Sequence, residues 1–227
     1  MDRPRWPEEP TSEAIAAYAA RDHEVAEHNR SLEETDGTLE ELHYGCSSVY
    51  EAETGDGHVV LSECVSSSTV DPGPFQNSVA SHGVVTTSAL LADETGVVRA
   101  GIDRDDRLEG AEAPYSTRGF LLVNFTDEPV RATIDVATDG SSVFEETYDV
   151  ETRTGVGENR VVTTPDSYDV TVRIGDTETQ AAWNVSEAAR DPIVLAETTT
   201  LDLALGLYVL PDGAVEIHNL PAERPTA

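Results

Sequence analysis

The sequence predicts a mainly β protein of the α+β type: one N-terminal helix packed on an antiparallel β-meander, then a seven-stranded antiparallel β-sandwich. Three observations predict it. Helical spacing is confined to one stretch, from Ser12 to about Leu32. From residue 42 onward the chain breaks into β-prone runs separated by Gly, Asp and Pro. Residues 103–114, DRDDRLEGAEAP, have no apolar period and read as a linker between two units.

The elements follow in order. Residues 1–10 are rich in proline and acid and form an extended lead-in. Thr11 is placed to cap a helix, with Glu13 in the first turn to favour its dipole. Ile15, Tyr18, Ala19, Val25, Ala26 and Leu32 fall on one shallow face, interrupted by Asp22 and Asn29. That stripe suits a helix laid across a sheet. Strands are expected over 42–54 and 58–68, joined by the hairpin signal Gly55-Asp56-Gly57. Asp71-Pro72-Gly73-Pro74 is a loop, 77–91 a third strand, and 97–102 a fourth after the turn at 93–96.

Beyond the linker, strands are expected over 119–125, 130–138, 142–150, 168–175, 178–185, 201–210 and 213–220. Val130, Ala132, Ile134 and Val136 alternate with polar partners, as do Tyr168, Val170, Val172 and Ile174. Turn signals separate these runs and no helix interrupts them, which is the pattern of a sandwich. Trp183 is expected in its core. The layout is therefore a lead-in (1–10), a helix-plus-sheet domain (11–102), a linker (103–114), a sandwich (115–220) and a tail (221–227).

Composition sets the environment. Asp plus Glu number 44 against 14 basic residues, for a net charge of −30, and every basic residue is arginine. Hydrophobic content is 38%, below the usual figure of about 45–50%. Such a chain repels itself in dilute buffer. At molar salt the screening length is about 3 Å and the repulsion is largely removed. The absence of lysine and the excess of carboxylate point to a halophilic source. The same field disfavours nucleic acid and anionic membrane surfaces. No stretch approaches the roughly 18 apolar residues of a membrane span. The start, MDRPRWPEEPTSEA, carries neither a signal-peptide pattern nor a lipid-acceptor cysteine and at face value reads as cytoplasmic.

The chemistry-bearing residues concentrate in LHYGCSSVYEAETGDGHVVLSEC (42–64), which holds both cysteines, Cys46 and Cys64, and two histidines, His43 and His58. With the turn centred on Gly55, residue 46 faces residue 64. His58 then lies roughly 20 Å along the strand from Cys64, at about 3.3 Å per residue. His43 is an odd number of positions from Cys46 and points to the opposite face. That register separates both histidines from the sulfurs and excludes a shared metal and a local thiol–imidazole pair. Directly opposed strand residues have Cα atoms about 4.5 or 5.5 Å apart, within the range of a disulfide. A stable Cys46–Cys64 bond implies an oxidising compartment. The alternative is two free thiols in a cytoplasmic protein.

Asn29-Arg-Ser31, Asn124-Phe-Thr126 and Asn184-Val-Ser186 are N-glycosylation sequons, and they use three of the six asparagines. They point to the same compartment as the disulfide. No nucleophile elbow, phosphate loop, dinucleotide fingerprint or H-E-x-x-H motif occurs. No cofactor, metal or catalytic residue is assigned.

The lead-in and helix WPEEPTSEAIAAYAARDHEVAEHNR, the two-cysteine hairpin and SALLADETGVVRAGI resemble uncharacterised secreted or lipoprotein-type proteins of haloarchaea. LVNFTDEPVRATIDVATDG and PDSYDVTVRIGDTETQAAWNV resemble their C-terminal immunoglobulin-like (Ig-like) β domain. The resemblance implies an Ig-like sandwich over 115–220 and carries no functional residues across. The function expected is a non-catalytic extracytoplasmic binding or structural module, facing a cell-surface protein or glycan. A second reading is a cystatin- or NTF2-like first domain whose cavity, lined by His43, Tyr44, Tyr50 and His82, binds or transforms a small molecule. A third is a cytoplasmic protein-interaction module.

Overall fold

The computed structural model describes residues 1–34, 38–55, 57–71, 79–92, 96–104, 118–185, 194–195, 199–200 and 203–220. The chain forms two compact units. The first comprises Met1–Glu53 and Gly57–Gly96; the second comprises Thr54–Asp56 and Val97–Ala227.

In the first unit, helix α1 spans Ser12–Glu34. Thr11 caps it as expected: its Oγ1 accepts from the Ala14 amide and its carbonyl from the Ile15 amide. The lead-in lies against the helix, with Trp6 edge-on to Tyr18. Ile15, Ala19, Asp22, His23 and Val25 are buried. Asp22 interrupts the buried face as the sequence indicates, and that face is corrected at two places: Leu32 is 52% exposed, and His23 is buried.

The sheet beneath α1 consists of β1 (Thr38–Thr54), β2 (Gly57–Asp71) and β3 (Val79–Ala92) in that order. β2 and β3 are antiparallel, with Ser62 opposite Ser88 and Cys64 opposite Thr86. Val59, Val60 and Leu61 on β2 and Leu90 and Leu91 on β3 are buried. The expected loop at 71–74 and the turn at 93–96 lie almost wholly outside the described residues, which include only 71 and 96 of them.

The second unit is a sandwich. One sheet has the order β4 (Val97–Arg104), β8 (Thr154–Val162), β5 (Arg118–Asn124), β13 (Leu203–Val209), β14 (Val215–Asn219). The other has the order β10 (Thr177–Val185), β9 (Asp166–Ile174), β6 (Val130–Thr138), β7 (Ser141–Val150). A short pair, β11 (Val194–Leu195) and β12 (Thr199–Thr200), stands apart. Phe120, Leu122, Ala132, Ile134, Val136, Val170, Val172 and Trp183 fill the core between the sheets. The alternating positions read from sequence are the ones turned inward. The β6–β7 turn is Asp139-Gly140, both with positive φ, which matches the strand twist of a tight hairpin.

The structure corrects the sequence reading in three details. The boundary lies between Gly96 and Val97 rather than in 103–114; of that segment only 103–104 are described, and they belong to β4. β4 joins the second unit, running parallel to β8 from Gly101 opposite Thr154 to Arg104 opposite Gly157. Second, β5 and β13 are also parallel, so the sheet is mixed within a sandwich that is otherwise antiparallel. Third, β8 is a strand that the sequence did not announce, because Gly155, Gly157 and the polar run Glu158-Asn159-Arg160 interrupt its β-branched residues. A Cβ at Gly155 would lie 3.0 Å from the Leu122 carbonyl and 3.3 Å from Ile102 and Val123, so glycine lets β8 fit between its neighbours.

Candidate functional site

The first unit gathers the chemistry-bearing side chains under its helix. Cys46 on β1 and Cys64 on β2 are bonded, with Cα atoms 4.1 Å apart. The sulfurs are committed to each other, so neither is a thiolate for a metal or a substrate. The bond fastens β1 to β2 at the register counted from Gly55.

Ser62 lies two residues from Cys64, on the same face of β2. His23 reaches down from α1 onto that face. Its Nδ1 is 2.9 Å from Ser62 Oγ, and its Nε2 is 3.2 Å from Thr86 Oγ1. Ser62 Oγ is in turn 3.0 Å from Ser88 Oγ across the ladder. Glu27, one turn along the helix, places Oε1 3.8 Å from His23 Nε2. A histidine and a serine at this distance have the geometry of a base and a nucleophile. Here Ser62 is 0% exposed and His23 is 2% exposed, so no substrate reaches the hydroxyl. The network holds helix to sheet. Sequence reasoning missed it, although His23 stands four residues from Ala19 and eight from Ile15, the helical spacing of the buried face.

The proposed pocket residues separate. His43 is exposed. Tyr44 is half-buried; its hydroxyl donates to the Glu27 carbonyl at 2.9 Å and lies 2.6 Å from Ser31 Oγ. Burial is the main cause that raises its pKa above the usual tyrosine value. Tyr50 is buried in the core of the unit, which pushes its pKa up to about 12. The side chain of His82 lies outside the described residues. The described members of the set therefore face different surroundings.

In the second unit, Asn124 at the end of β5 is 0% exposed. Its Nδ2 donates toward the carbonyls of Glu128, Glu151 and, at 3.4 Å, Val150. Its Oδ1 accepts from the amide and hydroxyl of Thr126. One side chain thus ties together two loops, and its amide is not presented for glycosylation in the folded chain. Beside that clamp, Arg153, with a φ of 54°, holds Asp127 through Nε and a second nitrogen at 3.1 and 2.6 Å.

Near the start of β9, the Tyr168 hydroxyl donates to the Thr164 carbonyl four residues upstream, and its ring packs 5.9 Å from that of buried Trp183. A tyrosine bonded back to the preceding turn is a hallmark of immunoglobulin-type sandwiches. Residues 128–198 match the family model of the halobacterial Ig-like domain. The Ig-like segment contains the whole β10-β9-β6-β7 sheet, together with β8 from the facing sheet. β5 before it and β13 and β14 after it complete the sandwich. Neither a curated protein nor a solved structure matches the chain.

Proposed function

We propose that the protein is a non-catalytic, extracytoplasmic binding or structural module of a haloarchaeon. Its Ig-like unit serves as a rigid spacer or contact surface, and its stapled helix-on-sheet unit presents the partner-facing surface. The observation that carries the reading is the Cys46–Cys64 bond. Disulfides persist outside the reducing cytosol. The similarity of residues 128–198 to a halobacterial Ig-like domain supports a structural or binding role. So does the sealing of the His23–Ser62 pair beneath α1. The acidic surface suits an environment of molar salt.

The test is a thiol count with localisation. The protein is recovered from haloarchaeal cells without reductant, blocked with an alkylating agent, denatured and titrated. No reactive thiol is expected before reduction and two after it. Protease added to intact cells is expected to remove the protein. Two reactive thiols together with protease resistance would overturn the reading.

A further inference from the structure

We propose that Asn184 is an N-glycan acceptor, and that it is the one sequon asparagine of the three whose amide the folded chain presents. This rests on the extracytoplasmic reading and sharpens it to one atom.

The three sequons have different surroundings. Asn124 is fully buried, and its amide nitrogen is turned toward three carbonyls. Asn29 is half-buried on α1; its Nδ2 donates to the Met1 carbonyl at 3.2 Å and its Oδ1 accepts from the Met1 amino group at 2.7 Å. The hydroxyl of that sequon, on Ser31, is turned inward and lies 2.6 Å from the Tyr44 hydroxyl. Asn184 is exposed, on β10, an edge strand of its sheet. Trp183 beside it points into the core, so Asn184 points outward. Across the ladder, Ser167 donates to Asn184 Oδ1 at 2.9 Å. That bond fixes the amide by its oxygen and leaves Nδ2, the atom that carries the sugar, donating to no group among the described residues. Ser186, which completes the tripeptide in sequence, lies outside the described residues.

The donor is a lipid-phosphate-linked oligosaccharide, acted on by a membrane transferase. Asn184 Nδ2 forms a bond to the anomeric carbon, the carbon–oxygen bond to phosphate breaks, and the lipid phosphate leaves with the electron pair. One Nδ2 proton passes to the transferase. A bulky hydrated group on an edge strand would also block pairing of that edge with another chain.

The experiment is intact-mass and glycopeptide mass spectrometry on protein recovered from haloarchaeal cells, with thiols counted in the same sample. A mass excess is expected on the peptide containing Asn184. It should vanish completely in Asn184→Gln and in Ser186→Ala, and remain unchanged in Asn29→Gln. An unmodified Asn184 in surface-exposed protein without free thiols overturns this inference and leaves the extracytoplasmic reading standing. An unmodified Asn184 in protease-protected protein with two thiols overturns both. A glycan found on Asn29 or Asn124 instead overturns the selection by exposure.

Discussion

His23 Nδ1 lies 2.9 Å from Ser62 Oγ between α1 and β2, with both side chains buried. A buried polar group is tolerated when its partners are in place and is costly when one is removed. Ser62→Ala should therefore cost about 1–3 kcal/mol. His23→Ala should cost more, because it also removes a buried ring. The pair should show a coupling of at least about 0.5 kcal/mol in a double-mutant cycle. Denaturant unfolding in molar salt measures all three. Strictly additive losses would mean that the two side chains act independently.

The Cys46–Cys64 bond closes a loop of 18 residues in sequence. Such a loop is nominally worth about 3 kcal/mol, and the preformed hairpin reduces that figure. Reduction, or replacement of both cysteines by serine, should lower the stability of the first unit by about 1–3 kcal/mol. Hydrogen exchange in β1 and β2 is the measurement that separates this from a global effect. Faster exchange is expected there, with β6 and β9 unchanged. An equal loss of protection in both units would contradict the prediction.

How far the fold was legible follows from the physics of each signal. A cap such as Thr11 and a tight turn such as the one expected between the strands at 130–138 and 142–150 act through local backbone chemistry, and both stand where the sequence puts them. Alternation along β6 and β9 reported the core because one face of each strand is buried. The Cys46–Cys64 pairing followed from counting register across a tight turn. β8 was illegible because its two glycines depress strand propensity, while tertiary fit between β4 and β5 is what makes Gly155 suitable. The parallel partnership of β4 was hidden for the same reason: its mate could not be seen. Asn124 read as a surface sequon, but its side chain turned out to be an internal clamp, and a tripeptide motif contains nothing that distinguishes the two.

That clamp yields its own prediction. Asn124→Ala leaves the carbonyls of Glu128 and Glu151 and the Thr126 amide without their shared partner. The loss should be about 2–4 kcal/mol, from several hydrogen bonds in a buried setting. Asn124→Asp should be worse than Asn124→Ala near neutral pH, because a carboxylate would face carbonyl oxygens. Thermal unfolding of the two variants ranks them. A stable Asp variant would show that the amide donor is dispensable.

Gly206 and Tyr208 sit two apart on β13, on one face. A Cβ at Gly206 would collide with the Tyr208 hydroxyl oxygen and come 2.6 Å from the ring carbon that bears it. Tyr208 is 0% exposed and packs near Phe125 and His218. It has little room to give way. Gly206→Ala should cost about 1–3 kcal/mol through overpacking. Combining it with Tyr208→Leu should give a loss smaller than the sum of the two, because the clash is removed. Additivity in that cycle would place the strain elsewhere.

The tyrosines define an alkaline limit. Burial raises the Tyr50 pKa to about 12, from an ordinary value of about 10. Tyr148 is raised further, first by burial and then by the Glu158 and Glu146 carboxylates that its hydroxyl meets at 3.2 and 3.3 Å. A raised folded-state pKa means that the folded chain keeps protons which the unfolded chain releases. The stability from these groups is therefore complete below about pH 10, and for Tyr50 it is lost as pH rises from about 10 to 12. Unfolding free energy should stay level to about pH 9 and then fall. Native absorbance at 295 nm should show a late-titrating fraction among the seven tyrosines. Tyr50→Phe should flatten part of the decline. A native titration in which all seven ionise together near pH 10 would remove the basis for the effect.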